Sequence, residues 1–166
     1  MKRILLFSAV FFFQTAIAKG VYQTPEAFLE TTFGGNIPTM STIWLNKEKK
    51  KVISEFLQHS PTFIRVKYWQ QGSKTAWILN EIGKSKPITV GIVIESSNVQ
   101  QLKVLTFRES RGWEVKHDFF TRQFDNITLD ENQQLSSPID GISGATLSVR
   151  ALKKMARIAL YLEQQL

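Results

Sequence analysis

The chain predicts an α+β fold, a twisted antiparallel sheet with helices packed on it. Helical patterning comes first, over residues 24–58. Four strand-like stretches then follow one another between 63 and 107. A long amphipathic segment closes the chain, from about 146 to 163. Helices, then strands, then a helix fit an α+β class better than the alternating units of a parallel sheet.

Thr24-Pro25-Glu26 opens the first helix. The threonine caps it, the proline sits at the first helical position, and the glutamate meets the positive end of the dipole. Ala27, Phe28, Leu29 and Phe33 supply its apolar contacts, and Gly34-Gly35 ends it. Residues 36–42 read as a loop. A second helix is expected over 46–58, with Val52, Ile53, Phe56 and Leu57 as its buried stripe, stopped by Ser60-Pro61.

In 63–69, Ile64, Val66 and Tyr68 alternate with Arg65 and Lys67, as in a half-buried strand. Gln71 to Lys74 is a turn, and 75–82 returns as the second arm of a hairpin. After a loop at 83–87, residues 88–95 are β-branched and apolar on both faces, as a central strand would be. The next strand is 101–107. A short helix is expected over 115–124, with Phe119, Phe120 and Phe124 on one core face, and a last short strand at 127–129. In the closing helix Leu147, Ala151, Leu152, Met155, Ile158, Ala159 and Leu162 fall at helical spacing. Arg150, Lys153, Lys154 and Arg157 lie mainly on the other side.

The first residues read as an export signal. Lys2 and Arg3 precede the apolar run 4–13, and Ala16-Ile17-Ala18 is a small-x-small cleavage site. The reading is a cleaved signal peptide over 1–18, a single domain over 19–166 and a periplasmic location. Within the domain, about 20–60 is a helical N-terminal part. The chain has 166 residues and no cysteine. That excludes disulfides, thiolate metal sites, cysteine nucleophiles and lipid attachment through cysteine. The two histidines, His59 and His117, lie far apart, so no metal site is expected. The formal charge of +7 suits an acidic partner or a membrane surface, or serves solubility. No reader motif for nucleic acid accompanies it, and no nucleic-acid partner is expected.

One stretch carries chemistry. Asp140-Gly141-Ile142-Ser143-Gly144-Ala145-Thr146-Leu147-Ser148 places small residues before a threonine at the start of the last helix. Small residues let the backbone approach a bulky group, and a helix start offers unpaired N–H groups to an anion. Read alone, the stretch is equally a glycine-rich turn with Ser143 or Thr146 as helix cap.

The whole of 140–148 resembles the flavinylation motif of FMN-binding domains, the family of the covalent-flavin subunits of the sodium-translocating quinone reductase and the Rnf complex. Weaker similarity runs from about Pro87 to the end, so the FMN-binding-like part would be about 62–166. The resemblance implies FMN as cofactor, joined by a phosphoester to Thr146. It implies a separate FAD-dependent flavin transferase as partner, with Asp140 recognised by it. Gly141, Ser143, Gly144, Ala145, Leu147 and Ser148 would surround the phosphate. In that family a Glu- and Gly-containing segment after two strands lines the flavin. Glu109 and Gly112 of Arg108-Glu109-Ser110-Arg111-Gly112-Trp113 fit it loosely, with Trp113 placed to stack on the ring.

The expected function is an exported electron carrier that takes electrons from a membrane-bound reductase and passes them to an extracytoplasmic acceptor. No residue pair resembles a substrate-processing site, so an electron-transfer protein is expected rather than an enzyme in its own right. The alternative is a periplasmic module that holds an anionic or phosphorylated ligand non-covalently at the same helix start.

Overall fold

A computed structural model describes residues 20–166; the expected export signal lies outside the described residues. The architecture is α+β. In chain order the elements are α1 (Pro25–Thr32), β1 (Met40–Trp44), α2 (Lys47–Leu57), β2 (Arg65–Gln71), β3 (Lys74–Ile82), β4 (Pro87–Glu95), β5 (Asn98–Phe107), α3 (Asp118–Thr121) and α4 (Thr146–Glu163). The five strands form one antiparallel sheet in the order β1-β2-β3-β4-β5. Short 3-10 turns, Trp113–Lys116 and Arg122–Phe124, flank α3.

Both faces of the sheet are covered. On one face, Trp77, Ile88, Val90, Ile92 and Ile94 join the buried side of α4 and Ile53, Phe56 and Leu57 of α2 in the main core. The alternate residues Ala76, Val93 and Leu105 meet Phe28, Leu29 and Phe33 on the other face. That two-sided burial is why 88–95 reads as apolar throughout. Gly91 faces α1, and a Cβ there would lie 2.6 Å from the Phe28 ring, so the absent side chain is what admits the phenylalanine.

The helix ends follow the sequence signals. Thr24 Oγ1 accepts from the Ala27 N–H at 3.1 Å, and Asn46 Oδ1 from the Lys49 N–H at 2.8 Å. α4 buries Val149, Leu152, Met155, Ile158 and Leu162 among others, each large side chain worth about 1.5–3 kcal/mol. This burial fixes its first turn, and with it Thr146, relative to the sheet.

Several expectations are corrected. Residues 40–42, expected as the end of a loop, belong with 43–44 to the edge strand β1, paired with β2 from Met40↔Trp69 to Trp44↔Arg65. The N-terminal part is therefore not purely helical. Residues 115–124 do not form one helix: His117 is extended (φ −80°, ψ 149°) and breaks it. Phe120 and Phe124 are buried, but Phe119 is 66% exposed and stacks on His117 instead. Residues 127–129 form no strand. Ile127 is tied to Val99 by one hydrogen bond, and Leu129 makes a lone bridge to Leu135. Leu147, expected in the buried stripe of α4, is 41% exposed.

Candidate functional site

The site is built at the junction of three segments: the start of α4, the turn after β5, and the loop before β4. Thr146 is the first residue of α4, and Ala145 occupies the cap position with no side-chain hydrogen bond. Neither Ser143 nor Thr146 caps the helix. Among the described residues, no protein acceptor is found for the N–H groups of Thr146, Leu147 or Ser148. Three N–H groups without a protein acceptor thus stand at the positive end of an 18-residue helix whose first residue, Thr146, is exposed.

The motif is anchored from beneath. Ile139 and Ala145 are buried, and Ile142 packs against the main core. The Ala145 N–H donates to the Ile142 carbonyl at 2.9 Å, closing a turn in which Gly144 takes φ +80°. Ala145 is therefore not available as an anion donor, contrary to what its place beside Thr146 suggests. Ser148 is buried, and its hydroxyl faces the turn after β5. Asp140 and Ser143 are exposed; the Asp140 N–H donates to Gln123 Oε1 at 2.7 Å.

The turn after β5 reaches this helix start. Gly112 is buried with φ +83°, and a Cβ on it would stand 2.7 Å from Ser148 Oγ and 3.4 Å from Ala145. Glu109 faces the loop before β4. Its Oε1 accepts from the N–H groups of Lys84 (2.6 Å), Ser85 (2.5 Å) and Lys86 (2.7 Å), and its Oε2 from the Ser85 hydroxyl (3.2 Å). Desolvation raises the carboxyl pKa, but the donors from Lys86, Ser85 and Lys84 outweigh it and hold the pKa below the ordinary glutamate value. Glu109 is thus the clasp of the 84–86 turn.

Thr146 opens onto two clefts. One, of about 250 Å³, is lined by Lys84, Glu109, Arg111 and residues 144–148. The other, of about 450 Å³, lies along α4 on the side of Arg150 and Arg157 and includes Gly141. The structure therefore brings Glu109 and Gly112 to the motif. Trp113 lines neither cleft. Its ring meets the edge of His117 at 5.5 Å, and Lys116 Nζ lies 5.1 Å from its centroid. Lys84 and Arg111, which sequence reasoning missed, line the smaller cleft from separate loops. Only the fold places them there, and no local pattern marks them.

This donor set fits a flavin phosphate. The helix start supplies N–H groups, two cations line the adjoining cleft, and Gly144 and Gly141 leave open space where any other residue would project a side chain. In comparisons with known proteins, the FMN-binding domain family matches residues 83–161. No curated protein is significantly similar to the chain. The matched span holds β4, β5, α3 and nearly all of α4; α1, β1, α2, β2 and β3 lie before it.

Proposed function

From the premise that residues 83–161 belong to the FMN-binding domain family and that the chain is a flavin-binding module with FMN as its cofactor, we propose that FMN is carried covalently, as a phosphoester on Thr146. The observation that supports this most is the exposed Thr146 hydroxyl at an uncapped helix start, between two clefts lined by cations. A phosphoester keeps a negative charge, which the N–H groups of Leu147 and Ser148 and the side chains of Lys84 and Arg111 would meet. Among the described residues no general base is hydrogen-bonded to Thr146, which favours attachment by a separate FAD-dependent transferase.

Bound FMN supplies one- and two-electron chemistry, and the chain supplies placement and tuning. In this reading the protein is exported, receives electrons from a membrane-bound reductase and passes them to an extracytoplasmic acceptor. A tether retains the cofactor where dissociation would lose it by dilution. No helix among the described residues is long and apolar enough to cross a membrane.

The test is intact mass after co-expression with a flavin transferase in an exporting host. The expected result is one FMN adduct on the wild-type chain, retained in Thr146→Ser and absent in Thr146→Ala. An unchanged adduct in Thr146→Ala would remove Thr146 as the attachment site.

A further inference from the structure

We propose that the larger cleft, between α4 and the segment 134–141, is a second site that binds a small organic polycarboxylate. The cleft holds about 450 Å³, within the range of small-molecule sites. Arg150, Lys153, Lys154 and Arg157 line one wall at spacings that put them on one side of α4. No carboxylate lines it. The opposite wall and floor carry Leu135, Ile139, Val149 and Phe56, apolar groups that suit the carbon body of an organic acid.

The balance of charge singles this cleft out. Lys154 is already neutralised: its Nζ lies 3.2 Å from Oε1 of Glu81, which is buried. Among the described residues no carboxylate comes within ion-pair distance of Arg150, Lys153 or Arg157. Arg157 is also positioned in advance. Its Nε donates to the Gln133 carbonyl at 2.9 Å, and its guanidinium lies 4.1 Å from the Phe56 ring centroid. Burial pushes its pKa below the ordinary arginine value, partly countered by Asp130. A half-buried guanidinium with no carboxylate in ion-pair contact is costly, and a bound carboxylate offsets that cost by forked hydrogen bonds.

The cleft includes Thr146 at one end, yet its cations stand on the side of α4 away from Lys84 and Arg111. The proposal rests on the reading that the flavin lies in the smaller cleft, beside Lys84 and Arg111. The proposal does not depend on the flavin being covalent, because the unmodified chain has the same cleft.

Citrate is the probe, titrated calorimetrically into the full chain at about 0.15 M salt, where the Debye length is about 8 Å and diffuse attraction is screened. The expected result is saturable one-to-one binding, weakened about tenfold or more in Arg150→Gln/Lys153→Gln, as the loss of charge-assisted hydrogen bonds implies. Lys67→Gln/Lys103→Gln, which removes two exposed charges from the sheet, should leave it unchanged. The wild-type chain should bind citrate equally with and without its flavin. Absence of saturation, or equal weakening by both double variants, would overturn the site. Inorganic phosphate binding as tightly as citrate would overturn the organic-acid assignment. Loss of citrate binding on flavinylation would make the cleft the cofactor's own bed and overturn the proposal.

Discussion

Gly112 and Ser148 touch across the site: a Cβ on the glycine would sit 2.7 Å from the serine hydroxyl oxygen. This contact locks the turn after β5 onto the first turn of α4. Gly112→Ala must push that turn away and also hold alanine at φ +83°. The expected cost is about 2–5 kcal/mol, the sum of overpacking and left-handed strain. Thermal unfolding reads the loss, and flavin content per chain should fall with it. An alanine variant of wild-type stability would show that the contact does not constrain the turn.

Glu109 gives a pH dependence with a definite sign. Its pKa is lower in the folded chain than in the unfolded one, because backbone donors favour the carboxylate. Its contribution is therefore present above the unfolded value and is lost as pH falls through the folded value. Glu109→Gln should remove that slope from the acid limb of a stability-versus-pH curve, and should expose the Lys84 to Lys86 amides to faster hydrogen exchange. An acid limb identical in the variant would remove Glu109 as the clasp.

Leu152 is fully buried beneath the middle of α4. Leu152→Ala should cost about 2–5 kcal/mol, as core truncations do. Because α4 docking holds Thr146 in place, denaturant midpoint and flavin incorporation should drop together. Flavin loading that is unaffected at a clearly lowered midpoint would separate packing from the site.

The β4–β5 hairpin carries an avoidable strain. Glu95 pairs with Asn98, and Ser96 and Ser97 between them take φ 52° and 62°. Both central residues are left-handed, the turn that Asn-Gly serves best. Ser96→Asn/Ser97→Gly should stabilise the chain by about 0.5–1 kcal/mol, since serine is disfavoured in this region. The weak Ser97–Glu163 hydrogen bond at 3.3 Å is exposed and offsets little of that. A lowered melting temperature in the double variant would contradict this.

Local signals in the chain were strong where one residue decides one feature. Thr24 and Asn46 cap as their types imply, and the apolar run in β4 matches the burial it meets; of the alternating residues before and in β2, Val66 is buried and Tyr68 partly so, but Ile64 precedes the strand and is exposed. Misreadings occur where the deciding partner is distant. Met40 to Trp44 is short and largely exposed, and becomes a strand because β2 lies beside it. Phe119 shares helical spacing with Phe120 and Phe124, but the extended His117 turns it outward. At the site, the motif 140–148 and the helix start were legible from residue type. That Ala145 closes a turn, that Trp113 faces Lys116 and His117, and that Lys84 and Arg111 share a cleft with Thr146 all follow from tertiary placement.

The two rims of the sheet are unequal. Beyond β5, Val21 bridges Thr106, the Tyr22 and Gln23 N–H groups donate to the Leu105 carbonyl, and the Phe107 N–H to that of Gly20. That border is already occupied by the chain itself. Concentrated stocks would therefore polymerise sideways, if at all, from Met40 to Trp44, where a single lysine on the outward face would act as a gatekeeper without touching the flavin chemistry.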